Sequence, residues 1–244
     1  MGALEGRVAV VTGSSSGIGE AVARRLAEEG AAIVVNSVSS VDAGQAVAAS
    51  LPDAVYVQGD VSDPADVARI VAAIDRWGRV DIVVNNAGYT RQVDHADLEG
   101  ADLALWQRIF AVNVFGSWLM SQAVMPRLKA DGGGSIVNVS SLAGSRETGS
   151  SLPYACSKAA LDHQTRLLAK VVGPEVTVNA VAPGLIDTPW TAAWTQLHEA
   201  VAAMAPLRRV GTPADVAEVT FRLATMPYVT GQVLTVDGGT HLVI

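Results

Sequence analysis

The sequence predicts an α/β fold, a doubly wound, seven-stranded parallel sheet with helices on both faces, built by residues 1–244 as a single domain. Three observations lead there. Short β-branched runs recur along the whole chain, and segments with helical apolar spacing separate them. The runs themselves are apolar on both alternating faces, as strands are when helices cover both sides of a parallel sheet. Seven such runs alternating with helices favour this architecture over a sandwich or a bundle.

Taken in order, the predicted strands are 8–12, 32–36, 55–58, 82–85, 136–139, 176–181 and 233–236. After the first, Ile18, Ala21, Val22 and Leu26 fall on one helical face, and Gly30 follows as a stop signal. Ser62-Asp63-Pro64 caps and opens a later helix whose stripe is Val67, Ile70, Val71 and Ile74. The longest helical segment runs over about 103–128, and another over 153–172. Two stretches read as irregular, 88–100 and 185–212, and loops of that length in a compact domain serve as lids or binding loops. The second is the expected substrate lid.

Composition narrows the function classes. Half of the 244 residues are hydrophobic and 17% are charged, which suits a large buried core. Seventeen Lys and Arg against twenty-four Asp and Glu give a net charge of −7, with no basic run to offset it, so nucleic-acid binding is not expected. Cys156 is the single cysteine, which excludes an internal disulfide and a cysteine zinc cluster. The four histidines, at 95, 163, 198 and 241, lack metal-ligand spacing, so no metal is expected. No uninterrupted apolar stretch approaches the ~18 residues of a membrane span, and the N-terminal MGALEGR lacks the layout of a signal peptide. A cytoplasmic protein without a membrane partner is the expectation.

The first glycine cluster points to phosphate. The strand at 8–12 runs directly into Gly13-Ser-Ser15-Ser16-Gly17-Ile18-Gly19, which opens a helix. Glycines there allow a tight turn and a close backbone approach to a diphosphate, and the helix N-terminus adds unpaired N–H groups and partial positive charge. The spacing is G-x3-G-x-G rather than the commoner G-x-G-x-x-G.

That variant, TGSSSGIG at 12–19, resembles the cofactor signature of the short-chain dehydrogenase/reductase family. Further matches follow in the family's order: Asp60, NNAG at 85–88, Asn113, a serine near 140, YACSK at 154–158, PG at 183–184 and VDGG at 236–239. The resemblance covers nearly the whole chain and implies a Rossmann-type fold with a nicotinamide cofactor. Its closest branch is 3-oxoacyl-reductase-like.

Tyr154 and Lys158 stand four apart at the start of a predicted helix and therefore share a face. A free tyrosine titrates near ~10, too high for acid–base work at neutral pH, and a nearby ammonium lowers that value. Ser140 and Ser141 both end the strand at 136–139, the edge of such a sheet where sites form. The family's spacing selects Ser141 to hold the substrate oxygen and leaves Ser140 a backbone-pairing role. The resemblance implies that Tyr154 gives or takes the proton on that oxygen and that Lys158 also contacts the nicotinamide ribose. Asn113 is similar to the family asparagine that positions a water for proton relay.

By the same resemblance Asn86, Ala87 and Gly88 lie along the adenosine, and Asp60 and Val61 meet the adenine. Pro183, Gly184, Ile186 and Thr188 hold the nicotinamide carboxamide. Asn85 and Asn179, each beside a strand, read as structural, since buried asparagines must find partners. At the end of the second strand Asn36 and Ser37 stand where an acid would accept from a ribose 2′-hydroxyl and repel a 2′-phosphate. No carboxylate guards the position, which favours NADP(H); the loop also holds no basic residue, which leaves NAD(H) open. Trp190 and Trp194, four apart, either line an apolar substrate wall or anchor a short helix. Arg146 and Glu147 either face the substrate or are solvated, and Cys156 is expected to pack.

The expected reaction is reduction of a ketone or oxidation of a secondary alcohol on a small molecule. A nicotinamide-assisted epimerase or dehydratase, or a nucleotide-binding regulator without turnover, uses the same fold. The intact Asn113, Ser141, Tyr154 and Lys158 set argues against the regulator. Relatives commonly pair through long helices, and Phe110, Val114, Phe115, Trp118 and Leu119 leave one such segment apolar over a wide arc. A homotetramer, or else a homodimer, is expected.

Overall fold

The computed structural model describes residues 2–244. Seven parallel strands lie in the order β3-β2-β1-β4-β5-β6-β7. They are β1 (Val8–Val11), β2 (Ala32–Ser37), β3 (Ala54–Gln58), β4 (Ile82–Asn85), β5 (Gly134–Val139), β6 (Val176–Pro183) and β7 (Val233–Val236). The helices between them are α1 (Gly17–Glu28), α2 (Val41–Ser50), α3 (Pro64–Ala72), α4 (Leu103–Phe110), α5 (Ser117–Ala130), α6 (Leu152–Val172), α7 (Thr195–Met204) and α8 (Pro213–Thr225). The order reverses between β1 and β4, so a crevice opens there at the carboxyl ends of the strands.

Strand alternation divides the core into two layers. Ala9, Val11, Ile33 and Val35 face one side, where Val22, Leu26 and Phe221 from α1 and α8 cover them. Val8, Val10, Val34 and Ile136 face the other, packed by Ile70, Met120, Val124 and Leu128 from α3 and α5. Because both faces are covered, the strands carry no polar alternation for a sequence reading to find.

The boundaries depart from the sequence reading for identifiable reasons. β6 extends to Pro183 because Pro183 pairs in register with Val236 of β7, at a strand end where a missing N–H is tolerated. The expected irregular stretch 185–212 contains the helix α7, whose Leu197, Val201 and Met204 repeat at helical spacing. The 103–130 segment is one continuous helical run, interrupted by a π-helical turn at Ala111–Gly116. An 18-residue window within it is apolar enough to pass for a membrane span, yet 44% of that window is buried inside the domain, against α3, β5 and α6. Cys156 corrects another expectation: it is exposed on α6, because the inward face of that helix is set by Lys158, Leu161, Asp162 and Thr165.

Buried polar residues close the sheet's interior. Asn85 donates to Asn138 Oδ1 (2.9 Å) and Asn138 to Thr165 Oγ1 (2.8 Å), which ties β4, β5 and α6 together. Asn179 donates to the Val229 carbonyl (2.8 Å) and accepts from Gln232 N (3.1 Å), fixing the turn into β7. Asn85 and Asn179 thus both bond within the structure, although Asn85 Oδ1 finds no partner among the described residues.

Candidate active site

A cavity of about 650 Å³ runs along the carboxyl ends of the strands. Every residue that the sequence reading assigned to cofactor, substrate or proton transfer lines it, except Asn113, which lies behind the wall.

The floor is the β1–α1 loop. Gly13 and Gly17 have φ of +62° and +58°, which side chains rarely tolerate. A Cβ on Gly13 would lie 2.9 Å from Ala87 Cα, and one on Gly19 would lie 2.4 Å from Asn86 Nδ2, so the loop, α1 and the NNAG segment interlock. Asn86 Nδ2 donates to the carbonyls of Thr12 (2.9 Å) and Gly13 (3.0 Å), while Thr12 Oγ1 accepts from the backbone of Asn86 and Ala87 (3.0 Å each). Ser16 caps α1 with no side-chain bond to its first turn. The helix therefore presents open N–H donors and its positive end to the cavity, in a cradle that only glycine leaves room for.

Asn36, expected to meet the cofactor, lines the cavity, and its side chain is also bonded within the loop. Its Oδ1 accepts from Gly13 N (3.3 Å), and its Nδ2 donates to the carbonyls of Val57 (3.1 Å) and Gly59 (3.0 Å). Ser37 is similarly occupied with the Ser40 carbonyl (3.1 Å) and the Tyr56 hydroxyl (2.9 Å). At the end of β3, Asp60 accepts from Ser62 and from Arg108 Nη2 (3.0 Å). Burial alone would raise the Asp60 pKa, but Ser62 and Arg108 outweigh it and hold the carboxyl below its ordinary value. Arg108, which the sequence reading missed, also lies 5.7 Å from the centre of the Tyr89 ring. Val61 is buried and sits directly under Gly116, where a Cβ would come within 2.6 Å of it.

The reactive residues gather from α6, the end of β5 and the π turn. Lys158 is buried and donates from Nζ to the Val139 carbonyl (2.8 Å), with the same nitrogen 5.6 Å from the centre of the Tyr154 ring. Burial lowers the Lys158 pKa to about 8, with the Asp162 charge opposing the fall. Burial raises that of Tyr154 above its ordinary value, and the Ser141 hydroxyl opposes the rise. Ser141 is placed by the short turn Leu142–Gly144, where its Oγ accepts from Ala143 N (3.2 Å). Ser140 turns inward, pairing its N–H with the Val181 carbonyl (2.7 Å).

Asn113 occupies the π-helical turn, a distortion frequent at functional sites. Its side chain accepts from Tyr89 N (2.8 Å) and donates to the Tyr89 carbonyl (3.1 Å) and Ser157 Oγ (3.0 Å). It thus clips the segment after NNAG to α6. Ser157, lying inside YACSK, is the partner that motif matching alone could not identify.

The loop after β6 forms the remaining wall. A bridge between Ile186 and Gly211 closes its base, and Thr188 reaches the glycine loop, where a Cβ on Gly17 would stand 3.4 Å from Thr188 Cγ2. Thr191 Oγ1 donates to the Ile186 carbonyl (2.6 Å) and fixes the turn. Trp190 lies against Gly88, and Trp194, Leu197, Val201 and Met204 complete an apolar wall on a helix with no buried residue of its own. Arg146 and Glu147 are exposed and lie outside the cavity lining.

Known proteins similar to this chain include reductases and dehydrogenases. A family model described as enoyl-(acyl carrier protein) reductase matches residues 13–241. A Streptomyces violaceoruber protein assigned as a ketoacyl reductase of the granaticin polyketide synthase is 55% identical over 242 residues, covering 98% of this chain and 97% of its own. The 3-oxoacyl acyl-carrier-protein reductase of Thermotoga maritima is 38% identical, over 97% of this chain and 98% of that one. A crystal structure from Burkholderia xenovorans, assigned as a short-chain dehydrogenase/reductase, superposes with a TM-score of 0.90 at 36% identity, over 97% of this chain and 98% of that one.

Proposed function

Since the chain belongs to the short-chain dehydrogenase/reductase family, and is thereby an oxidoreductase acting on CH–OH or C=O groups, we propose that it reduces a small-molecule ketone with a nicotinamide dinucleotide. The observation that carries the reading is the convergence of Ser141, Tyr154 and the buried Lys158 on one wall of the cavity.

The dinucleotide fits the cradle described above. Its diphosphate would lie on the α1 N-terminus and Ser15 and Ser16, its adenosine along Asp60, Val61, Asn86, Ala87 and Gly88, and its nicotinamide end beside Tyr154, Lys158, Pro183, Gly184, Ile186 and Thr188. When bound, the nicotinamide exchanges a hydride with the substrate carbon. Tyr154, held in its neutral form by burial, is suited to donate its proton to an oxygen that gains charge, which favours reduction at neutral pH. Ser141 donates to the same oxygen, so negative charge develops against two fixed donors. Lys158 as the ammonium makes loss of the Tyr154 proton less costly. Asn113 keeps Tyr89 and Ser157 in place, which sets the distance between the NNAG segment and α6.

Two hydroxyl donors aimed at one oxygen suit a carbonyl better than a carbon–carbon double bond. This supports the ketoacyl-reductase relatives over the enoyl reduction named in the family model's description. No carboxylate stands at the end of β2, and the exposed Ser39 and Ser40 are free to meet a 2′-phosphate once Asn36 and Ser37 are engaged. We therefore assign NADP(H) as the preferred cofactor, with NAD(H) as the competitor. Residues 185–212 would close over the substrate, with Trp190 and Trp194 as its apolar wall. Phe115 and Trp118 on the π turn and α5, 57% and 43% exposed, leave an apolar face that a homotetramer would cover. Gel filtration at micromolar concentration giving a monomer would contradict that assembly.

The experiment is oxidation of NADPH and NADH with a panel of ketones and 3-oxoacyl thioesters, with Tyr154→Phe as the blank. Turnover preferring NADPH and absent from the variant is expected. Turnover that persists in the variant would overturn the proton-transfer assignment, and a preference for NADH would overturn the cofactor assignment.

A further inference from the structure

One buried acid stands next to the reactive set without a part in it so far. Asp162 is one helical turn beyond Lys158 on α6, so Tyr154, Lys158 and Asp162 follow one another at four-residue spacing along a single face. The residue is 4% exposed, and its Oδ1 has no hydrogen-bond partner. A carboxyl placed so deep is costly unless something nearby favours its charge.

The surroundings name what does. The turn that carries Ser141 lies on α6 between Lys158 and Asp162. A Cβ on Gly144 would stand 2.8 Å from Asp162 Oδ2 and 2.9 Å from the Lys158 carbonyl carbon. Burial raises the Asp162 pKa above its ordinary value, and the Ser140 hydroxyl, which also donates to the Lys158 carbonyl (3.4 Å), opposes the rise. Arg166, a further turn along α6, and Lys158 itself are the cations acting on the acid. From the Lys158 side, burial lowers the amine's pKa and the Asp162 charge opposes the fall. Tyr154 is its titratable neighbour on α6, the strand end contributes the hydroxyls of Ser140 and Ser141, and the π turn contributes the uncharged Asn113.

We infer that Asp162 is a positioning residue for this site: its buried carboxylate keeps Lys158 in the ammonium form and, with Ser140, locks the Ser141-bearing strand end onto the helix that carries Tyr154. The kinetic side of the inference rests on the carbonyl-reducing reading above; the electrostatic side does not. Asp162 acts on catalysis through Lys158, and Gly144 is the residue that lets the turn lie against Asp162 and the Lys158 carbonyl, which the Ser140 hydroxyl also reaches.

The chain has three lysines, Lys129, Lys158 and Lys170, so the ε-carbon resonances of labelled lysine report each amine separately. In the unmodified protein Lys158 should titrate near 8. In Asp162→Asn, which keeps the size of the side chain against Gly144 and Ser140, its midpoint should fall by about one pH unit or more. Lys129 and Lys170 should not move. The alkaline limb of kcat/KM should shift to lower pH by the same amount. An unchanged Lys158 midpoint in folded Asp162→Asn would overturn the inference. If that variant fails to fold, the carboxyl-carbon resonance of Asp162 in the unmodified protein decides. It should report an ionised group at neutral pH with an inflection at the Lys158 midpoint, as coupled sites must; a protonated acid or a flat trace overturns the inference. A protein that turns over no carbonyl substrate yet shows both shifts would sink the functional reading and keep the Asp162–Lys158 coupling.

Discussion

The Lys158 ammonium donates to the main-chain carbonyl of Val139 at 2.8 Å, so the helix that carries Tyr154 and the strand that leads to Ser141 are joined through this side chain. One bond fixes the position of the lysine, and burial sets its pKa. Removing the phenol should therefore stop the chemistry and little else. Tyr154→Phe is expected to lower kcat by about 10²–10⁴-fold, the range of general acid–base catalysis. Dinucleotide affinity, read by fluorescence titration, should stay within a few-fold of the unmodified protein.

The pH dependence follows from the two buried groups. In the proposed mechanism Lys158 acts as the ammonium, and with its pKa lowered to about 8 by burial that form is lost as pH rises through this value. The same proposal has Tyr154 act as the neutral phenol in the reducing direction, and burial raises its pKa, so it remains protonated over the same interval. The rate of ketone reduction should therefore be level at neutral pH and fall through about 8, with Lys158 setting the limb. Alcohol oxidation needs the phenolate and should gain relative to reduction as pH rises. Initial rates in both directions across the alkaline range check this, and a reduction rate that climbs through the limb would contradict it.

How much of this could be read from the chain alone differs by element. The glycine loop and the Tyr154–Lys158 pair were legible because each is a local pattern, a strand that turns into a helix and a four-residue spacing; the strand end offered Ser140 and Ser141 alike, and the family's spacing chose Ser141. The side-chain roles of Asn36 and Asn113 were not, because each is defined by a partner far along the chain, Gly59 for the first and Ser157 for the second. Asp162 sits in the same helix as the motif, yet nothing in its spacing distinguishes a buried acid from a solvated one. The fold was legible because seven β-branched runs and their covering helices repeat one local pattern. The helix α7 was missed because Pro189, Trp190 and Trp194 dominate its approach and its apolar side faces a cavity rather than a core.

Asn36 illustrates the consequence for cofactor binding. Asn36→Ala would leave Gly13 N and the carbonyls of Val57 and Gly59 without their partner, and buried groups left unpaired cost roughly 1–3 kcal/mol. The glycine loop loses its brace on the β2 side. Dinucleotide affinity is expected to fall about tenfold, equivalent to ~1.4 kcal/mol, together with a drop in the thermal midpoint. An affinity loss without any loss of stability would show instead that Asn36 contacts the dinucleotide directly.

The proposed lid offers a way to separate substrate from cofactor binding. Trp194 lines the cavity from the start of α7, whose residues are all at least partly exposed. Trp194→Ala should raise the substrate KM about tenfold, as expected for an aromatic anchor worth more than ~1 kcal/mol. Its effect on the dinucleotide constant and on the thermal midpoint should be small. Steady-state kinetics at saturating cofactor separate these outcomes, and a fall in stability with KM unchanged would mean that Trp194 merely anchors its helix.

At the opposite end of the sheet, Asp81 governs acid stability. Its carboxylate accepts from Val8 N (2.9 Å), Arg7 Nη1 (2.6 Å) and Arg79 Nε (2.9 Å), and the side chain is 5% exposed. Burial would raise its pKa, but Arg79, Arg7 and the Val8 amide outweigh burial and hold it below the ordinary carboxylate value. A group depressed in the folded state stabilises above the unfolded value of ~3.9 and loses that contribution as pH falls through the folded one. Asp81→Asn removes the charge that both arginines face and should cost about 2 kcal/mol at neutral pH, within the range for hydrogen bonds to charged groups. Urea unfolding at neutral and acidic pH measures the difference. The gap between the two proteins should narrow as pH drops, and a gap that stays constant would mean that Asp81 stabilises by shape and hydrogen bonding rather than by its charge.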